Sequence, residues 1–356
     1  MLRDRSGAFV IEEVHLPELG PGDILVRIAA AGMCHSDLVV RDAGGEPMRP
    51  AIFGHEGSGI VEETGSAVTR VRPGDHVVLS YDWCGWCEAC LRGRQSYCTE
   101  FVDRNSTGFG MPGARLAKDW HGQDIGSRWF AQSSFAHHAV ATERNAVVVD
   151  PDLPLELLGP LGCGLQTGAG AVLNVLRPQV DESIVIFGTG ALGLAAVMAA
   201  RAIGAGMIVA VDIHPARREL ALELGADAAY DGNDPDLSAI LACRHGGMHL
   251  AMDTTGRSTV ATIAIASLRA GGRLALFGAT PLDLHLAPID LLGRSLSYII
   301  EGEAVPQLFI PLLVRMWQRG RFPFDKLVRH YPFADINDAE RDSEGGGTVK
   351  PVLIMP

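Results

Sequence analysis

Residues 183–193 read Ser-Ile-Val-Ile-Phe-Gly-Thr-Gly-Ala-Leu-Gly, and their pattern predicts the fold of the second half of the chain. Its first five residues form a short apolar run that predicts a buried strand. The three glycines that follow have the spacing G-x-G-x-x-G, and the turn leads into a predicted helix over Ala191–Ile203. Asp212 comes about 20 residues after the turn, at the end of the next apolar run.

This arrangement predicts a dinucleotide site. Gly188, Gly190 and Gly193 let the backbone approach a pyrophosphate at the N-terminus of the helix. Asp212 can accept hydrogen bonds from the adenosine ribose hydroxyls, and its charge would repel a 2′-phosphate, so NAD is favoured over NADP. Two arginines soon after Asp212 make this preference less strict. A glycine turn in an α/β domain without a cofactor is the alternative.

Strands and helices alternate through this half, which predicts an α/β fold with a doubly wound parallel sheet. The first half alternates short β-branched runs with Gly/Pro turns, as in a compact β-rich domain, and residues 99–130 receive no assignment. We therefore predict three parts, 1–164, 165–300 and 301–356, the last ending in a strand that returns to the first domain. The predicted strands are Ile24–Ile28, Gly57–Val61, His76–Leu79, Ser183–Phe187, Met207–Val211, His249–Met252, Arg273–Phe277 and Val349–Ile354, and the helices are Ala191–Ile203, Ala216–Leu224 and Thr259–Leu268.

Composition narrows the classes of partner. The 356 residues carry 42 acidic against 30 basic side chains, a formal net charge of −12, without long runs of either sign. This balance argues against nucleic acid and against an anionic membrane, and it favours a small-molecule partner. No window has the pattern of a signal peptide or of a spanning helix, so we expect a cytoplasmic protein. Disulfides are rare in that reducing compartment, so a tight cysteine cluster predicts a bound metal.

Four of the seven cysteines lie within residues 84–98, the cysteine lobe. Their spacing is C-x2-C-x2-C-x7-C. Zinc bound by four thiolates has no position left for a substrate, so the lobe predicts a structural zinc. An iron–sulfur cluster and redox-active thiols are the alternatives. The four cysteines are Cys84, Cys87, Cys90 and Cys98.

Cys34, His55 and Cys163 are separated widely in the sequence. Two thiolates and an imidazole can form a three-ligand zinc site whose fourth position is open to water or substrate. Spacing alone does not decide this, because a buried free cysteine usually behaves as a small hydrophobic residue.

Five motifs follow one another along the chain: Cys34-His35-Ser36-Asp37, Gly54-His55-Glu56-Gly57, the cysteine lobe, Gly162-Cys163-Gly164 and the glycine turn at 188–193. In that order they resemble the zinc-dependent medium-chain alcohol dehydrogenases, over nearly the whole chain. Within this family the sequence is most similar to the bacterial aryl-alcohol (benzyl-alcohol) dehydrogenases, through Pro160–Val175 and Glu301–Pro306. The resemblance implies a GroES-like catalytic domain that contains the cysteine lobe, followed by a Rossmann domain.

The resemblance also implies an activity. The family oxidises alcohols to aldehydes reversibly, with hydride transfer to NAD, and has two zinc ions per chain, one catalytic and one structural. Cys34, His55 and Cys163 would bind the catalytic zinc. Glu56 would lie behind it as an occasional ligand or as electrostatic support.

Two further residues near these ligands receive roles from the resemblance. Ser36 would take the alcohol proton and pass it to the nicotinamide ribose, although a serine there can also simply cap a following helix. Asp37 would orient His55 through its second ring nitrogen. Surface hydrogen bonding is the plainer alternative for Asp37 and Glu56. The liver-type enzymes pass the proton to a histidine three residues beyond the hydroxyl, where this chain has Val39, so the rest of the proton path is not assigned.

The family's cofactor contacts carry over to four more positions. His35 and Lys350 would contact the pyrophosphate, Arg217 would lie near the adenosine ribose, and Thr167 would lie beside the nicotinamide. Long cationic side chains more often extend into solvent, which is the alternative for the lysine and the arginine. The family forms dimers and tetramers, so we expect a homodimer or homotetramer, with Leu296–Ile300 as the candidate edge strand.

Aromatic residues suggest the substrate. Six of them fall in segments that border the substrate cleft in the family, and an apolar, ring-lined pocket favours aryl or allylic primary alcohols over polyols. Cys163 points the same way, because related polyol dehydrogenases commonly have glutamate there. The alternatives are an NADPH-preferring aldehyde reductase and a catalytically silent redox sensor that binds zinc and a dinucleotide. The aromatic residues are Tyr81, Trp83, Phe109, Trp120, Trp129 and Phe130.

Overall fold

A computed structural model describes residues 1, 7–43, 50–244, 246–278 and 283–356. The chain divides into two units, one formed by Met1–Cys163, Val305–Leu313 and Asp325–Pro356, the other by Gly164–Ala304 and Val314–Phe324. The C-terminal part, predicted as one segment, is thus shared between the units. Within the described residues, no helix has both the length and the apolar character that crossing a membrane requires.

The strands and helices predicted from the sequence are all present. The helix over Ala191–Ile203 and the strand over Ser183–Phe187 have the predicted bounds. The described strands are β1 (Asp23–Gly32), β2 (Gly57–Thr64), β3 (His76–Leu79), β4 (Ala117–Lys118), β5 (Asp124–Ile125), β6 (His138–Thr142), β7 (Ala146–Val149), β8 (Ser183–Phe187), β9 (Met207–Asp212), β10 (Ala228–Asp231), β11 (Met248–Asp253), β12 (Leu268–Leu276), β13 (Ser295–Tyr298), β14 (Val328–Pro332) and β15 (Lys350–Ile354). The described α-helices are α1 (His35–Ala43), α2 (Glu88–Leu91), α3 (Phe101–Asn105), α4 (Leu155–Leu158), α5 (Gly164–Gly170), α6 (Ala191–Ile203), α7 (Pro215–Glu223), α8 (Leu237–Arg244), α9 (Ser258–Ser267), α10 (Pro306–Gln318) and α11 (Ile336–Glu344).

The first unit is built on a seven-stranded sheet. The strand order is β14-β15-β1-β2-β3-β7, and β6 also pairs with β1. Apolar residues alternate along β1, so that one face packs into the core. The C-terminal strand β15 pairs antiparallel with β1 through Gly32 and Val352, and the Met33 N–H donates to the Pro351 carbonyl. This pairing brings the last residues of the chain beside the segment that carries Cys34.

The second unit is a Rossmann-type domain. Its six parallel strands have the order β10-β9-β8-β11-β12-β13, which is the order of a doubly wound dinucleotide-binding sheet. All five residues of β8 are buried, as expected for a strand covered on both faces. Each buried Ile, Val or Phe side chain there contributes about 1.5–3 kcal/mol to the free energy of unfolding. The turn after β8 therefore follows directly from a strand that is fully buried in the core.

Candidate active site

Three residues that are far apart in sequence meet in the first unit. Cys34 lies between the end of β1 and the start of α1, His55 lies in the turn before β2, and Cys163 follows a 3₁₀ turn at Gly159–Gly162. Their sulfur atoms and one imidazole nitrogen all lie within 4.8 Å of one another. The Ser80 hydroxyl donates to the Gly162 carbonyl at 2.6 Å, which fixes the segment that carries Cys163. This is the three-ligand arrangement that the sequence suggested.

Asp37 determines which nitrogen of His55 faces the two cysteines. Its Oδ1 lies 2.7 Å from His55 Nδ1, and both side chains are fully buried. Nδ1 therefore carries a proton in either charge state of the ring, and Nε2 offers a lone pair to a metal once its own proton is displaced. Among the described residues none gives His55 Nε2 a hydrogen bond, and a buried nitrogen without a partner is costly. A zinc ion bound by His55 and the two cysteines would remove that cost, so these residues fit the metal.

Electrostatics favour the thiolate form of Cys34. Hydrogen bonding with Cys163 lowers the pKa of Cys34 well below its ordinary value, against the effect of burial, and the charges of His55 and Lys350 add to the lowering. Burial acts to lower the pKa of His55, but the Asp37 and Cys34 charges raise it well above its ordinary value. A concentrated negative charge beside an imidazole is the environment that a divalent cation requires.

Glu56 and Lys350 form a buried pair behind this site. The Lys350 ammonium donates to both Glu56 carboxylate oxygens, at 2.9 and 3.0 Å, and to the Met33 carbonyl at 3.0 Å. Burial raises the pKa of Glu56 to about 7, and the Lys350 charge limits the rise. Neither side chain extends into solvent. Surface hydrogen bonding, the alternative for Glu56, and a solvent-exposed position, the alternative for Lys350, were therefore wrong. The contact of Lys350 with a pyrophosphate and the support of the metal by Glu56 remain predictions.

His35, Ser36 and Asp37 are the first three residues of α1, and they have different surroundings. The helix begins at His35, so Ser36 stands within its first turn and does not precede it. Asp37, and not Ser36, accepts the N–H at the helix start, since its Oδ2 lies 3.1 Å from the Cys34 nitrogen. Ser36 is half-buried and His35 is exposed. The proton transfer by Ser36 and the cofactor contact of His35 are still predictions.

The cysteine lobe forms a second, closed group. Its four sulfur atoms also lie within 4.8 Å of one another, and the Cys84 and Cys90 sulfurs are 3.8 Å apart. A tetrahedron with zinc–sulfur bonds of about 2.3 Å has edges of about 3.8 Å, so the spacing fits zinc. The Cys84 N–H donates to the Cys98 sulfur at 3.3 Å, a contact that stabilises a thiolate. With four sulfur ligands this site is structural.

The glycine turn in the second unit has room for a phosphate group. A Cβ added at Gly190 would have nothing within 4 Å, whereas one added at Gly193 would lie 1.9 Å from the Gly188 carbonyl oxygen. Asp212 Oδ2 accepts from the Thr189 N–H at 2.7 Å, and Oδ1 accepts from the His214 N–H at 2.9 Å. A carboxylate has about four lone-pair sites, so Asp212 keeps capacity for a ribose hydroxyl. The turn therefore fits a dinucleotide.

Two more predicted cofactor residues lie in this unit. Arg217 is half-buried on α7, and its Nε has no hydrogen-bond partner within the described part of the chain. Arg218 donates to the Asp212 carbonyl at 2.8 Å, so it is already engaged with the protein. The Thr167 hydroxyl on α5 donates to Glu301 at 3.3 Å. These positions leave the expected ribose and nicotinamide contacts as predictions.

Comparison with known proteins agrees with this geometry. Residues 20–151 match the model of the alcohol dehydrogenase GroES-like domain, and residues 191–315 match the model of the zinc-binding dehydrogenases. The chain is 44% identical to geraniol dehydrogenase of Castellaniella defragrans, over 100% of this chain and 96% of the relative. It belongs to the zinc-containing medium-chain alcohol dehydrogenase family. Two cysteines and one histidine are the catalytic zinc ligands of alcohol dehydrogenases, and Cys34, His55 and Cys163 match that set.

Two solved structures of alcohol dehydrogenases are similar throughout. An alcohol dehydrogenase zinc-binding domain protein from Burkholderia ambifaria has a TM-score of 0.95 and 43% identity, covering 99% of this chain and 97% of that one. Benzyl alcohol dehydrogenase from Acinetobacter calcoaceticus has a TM-score of 0.89 and 41% identity, covering 96% and 94%. The GroES-like and Rossmann folds predicted from the sequence are thus confirmed.

The aromatic residues of this alcohol dehydrogenase are distributed differently from the expectation. Tyr81 and Trp83 are buried with the sulfur atoms of the cysteine lobe, so they form part of its core. Trp120 is 71% exposed. Trp129 donates its indole N–H to Asp37 at 2.8 Å, and the Phe130 ring stacks on His55 with centroids 4.4 Å apart. No local pattern connects Trp129 to an aspartate 92 residues earlier, which is why the sequence did not reveal this contact.

Proposed function

We propose that this alcohol dehydrogenase oxidises a primary aryl or allylic alcohol to the aldehyde, with NAD as hydride acceptor, in a reversible reaction. The observation that carries the proposal is the three-ligand site, in which His55 Nε2 lies close to two cysteine sulfur atoms and has no hydrogen-bond partner among the described residues. Similarity to proteins named for geraniol, an allylic alcohol, and for benzyl alcohol supports the substrate class.

Zinc, when bound, supplies Lewis acidity that lowers the pKa of an alcohol hydroxyl, and NAD, when bound, accepts a hydride. The protein's own side chains prepare the site. Cys34 and Cys163 offer thiolates, and Asp37 fixes the protonated Nδ1 of His55. The Ser36 hydroxyl, in the first turn of α1, would accept the alcohol proton. Because Val39 cannot carry a proton, water or another group would complete its exit.

The choice of NAD rests on Asp212. Asp212 is only 6% exposed at the end of β9, and backbone N–H groups donate to both of its carboxylate oxygens. A fixed negative charge there favours ribose hydroxyls and repels a 2′-phosphate. Arg218 donates to the Asp212 carbonyl and also forms an ion pair with Asp231 at 3.4 Å, so its charge is partly balanced by a second carboxylate.

The test compares turnover of the purified zinc enzyme on benzyl alcohol, geraniol, cinnamyl alcohol and ethanol, each with NAD and with NADP. We expect aryl and allylic alcohols to exceed ethanol in kcat/KM by at least about tenfold, which a hydrophobic pocket can supply. Metal analysis should find two zinc ions per chain. A clear preference for NADPH and aldehydes would refute the cofactor assignment, and one zinc per chain without turnover would favour a redox sensor.

We also propose a homodimer or homotetramer. Strand β13 (Ser295–Tyr298) is at one end of the six-stranded sheet, where its outer edge can pair with a second copy. Tyr298 is 45% exposed there. Light scattering after size exclusion measures the mass directly, and a monomer at micromolar concentration would contradict the proposal.

A further inference from the structure

Residues 129–133, the Trp129 segment, have an unusual backbone beside the three-ligand site. Phe130, Ala131 and Ser133 have φ of 49°, 53° and 51°, in the left-handed region that non-glycine residues rarely adopt. Such conformations persist only where surrounding contacts determine them, and they cluster at functional sites.

Two buried amides hold the segment. Gln132 Nε2 donates to the His55 carbonyl at 3.0 Å and to the Ser80 carbonyl at 3.2 Å, and its Oε1 accepts from the Gly57 N–H at 3.1 Å. Asn145 Nδ2 donates to the Phe130 carbonyl at 3.3 Å. Gln132 therefore joins the Trp129 segment to the main chain on either side of Glu56, next to His55.

The held segment places two rings on the His55–Asp37 pair. Trp129 Nε1 donates to Asp37 Oδ1 at 2.8 Å, and this is the oxygen that lies 2.7 Å from His55 Nδ1. The indole nitrogen is also 3.2 Å from His55 Nδ1, but the carboxylate oxygen is the shorter contact and the stronger acceptor. The Phe130 ring stacks on the His55 ring at an interplanar angle of 20°. His55 is therefore fixed at one edge by a carboxylate and on one face by a ring, and the carboxylate is itself fixed by Trp129.

We propose that Trp129 is a positioning residue for the catalytic zinc, acting through Asp37 on His55. The inference rests on the proposed zinc site. The indole N–H holds Asp37 Oδ1 at hydrogen-bond distance from His55 Nδ1, so Nε2 keeps its direction toward Cys34 and Cys163. Without that donor Oδ1 keeps, among the described residues, only the longer bond from the Gly54 N–H, at 3.2 Å, beside its contact with His55, and His55 becomes a less well-directed ligand. Loss of the direct hydrogen-bond partner of a metal-binding histidine typically costs about 10–100-fold in metal affinity, and because Trp129 acts through that partner we expect the lower end of this range.

The experiment measures zinc release from the full-length enzyme into a chelating dye. Trp129→Phe removes the N–H and keeps a ring, whereas Trp83→Phe changes another buried tryptophan, in the core of the cysteine lobe. The phase that belongs to the open site is identified by its absence in Cys163→Ser. We expect Trp129→Phe to accelerate that phase at least about tenfold and to leave the lobe's zinc unchanged. Trp83→Phe should leave the open-site phase unchanged.

Release at the wild-type rate from Trp129→Phe, or equal acceleration by Trp83→Phe, would overturn the proposal. If Trp129→Phe does not fold, incorporation of the isosteric β-(3-benzothienyl)alanine at 129 removes only the N–H. A second readout does not need zinc: the chain has five tryptophans, and their indole N–H signals can be resolved by ¹H–¹⁵N NMR. Asp37→Asn should shift the Trp129 signal upfield, and an unmoved signal would refute the contact. A wild-type enzyme that binds only the lobe's zinc but shows the shift would instead count against the proposed function.

Discussion

Gly190, the middle glycine of the glycine turn, offers the sharpest test of the proposed cofactor site. Gly190 precedes α6 with φ of −72°, which alanine adopts without strain, and a Cβ there would have nothing within 4 Å. At Gly193 the same methyl group would lie 1.9 Å from the Gly188 carbonyl oxygen, so strand and helix would have to separate by more than about 1 Å. The two alanine variants should therefore fail in different ways.

The magnitudes follow from these surroundings. For Gly190→Ala, reduced freedom of the unfolded chain stabilises by about 0.4–1 kcal/mol, and loss of a favoured helix-cap residue costs a similar amount. Its free energy of unfolding should thus stay within about 1 kcal/mol of wild type. For Gly193→Ala, overpacking costs about 1–3 kcal/mol or more, of which better helix propensity returns at most about 1. With a net cost of about 1–2 kcal/mol, we expect its unfolding midpoint to fall by roughly 1–3 °C in a chain of this length.

Gly190→Ala, which should leave the free energy of unfolding almost unchanged, should nevertheless weaken cofactor binding. A methyl group at Gly190 would occupy the space through which a pyrophosphate approaches the N-terminus of α6. Loss of one charge-assisted hydrogen bond of about 1.5 kcal/mol weakens NADH binding about tenfold. Fluorescence titration with NADH and thermal unfolding of the same samples separate the two effects. If Gly190→Ala binds NADH within about twofold of wild type, the turn does not cradle the pyrophosphate.

Three other outcomes follow from the structure. Cys87→Ser should lose the lobe's zinc and have a lower thermal unfolding midpoint. Cys163→Ser should instead lose turnover and the zinc of the open site, with little change in the unfolding midpoint. Wild-type thermal stability in Cys87→Ser would contradict the structural role of the lobe. Ser36→Ala should lower turnover by at least about tenfold where hydride transfer limits the rate, and an unchanged rate would remove Ser36 from the proton path. Although partial burial acts to raise the pKa of Glu143, two backbone N–H donors lower it below its ordinary value. Glu143 therefore stabilises the fold above its unfolded pKa, so Glu143→Ala should cost at most about 1 kcal/mol in urea unfolding at pH 7, since solvent screens this partly exposed group, and that difference should shrink as the pH falls through the lowered folded pKa.

Much of the fold was readable because its signals are local. The apolar run of β8, the glycine turn and the helix α6 depend on side-chain spacing within about 20 residues, and their bounds agree with the prediction. The cysteine lobe is equally local, since its four ligands fall within residues 84–98. In both regions the residues that act together are neighbours in the chain, so the pattern alone carries the geometry.

The open site needed more than spacing. Residue types at 34, 55 and 163 permitted a zinc site, and only the order of motifs shared with a known family favoured it over buried thiols. Their convergence depends on where β1 ends and on where the 3₁₀ turn before Cys163 lies, which no single window of sequence specifies. The aromatic residues show the same limit, because their types do not reveal that Tyr81 and Trp83 pack in the lobe's core while Trp120 is exposed.

Two contacts were decided by tertiary structure alone. Trp129 reaches Asp37 across 92 residues, and Lys350 reaches Glu56 across 294. The second exists because β15 pairs with β1 in a particular register, which sets Lys350 beside Met33 and the segment of Cys34. Sequence pattern identifies which groups are able to bind a metal, a proton or a phosphate. Which groups then share a buried carboxylate depends on strand register and on packing between distant segments, and no local pattern encodes either of these.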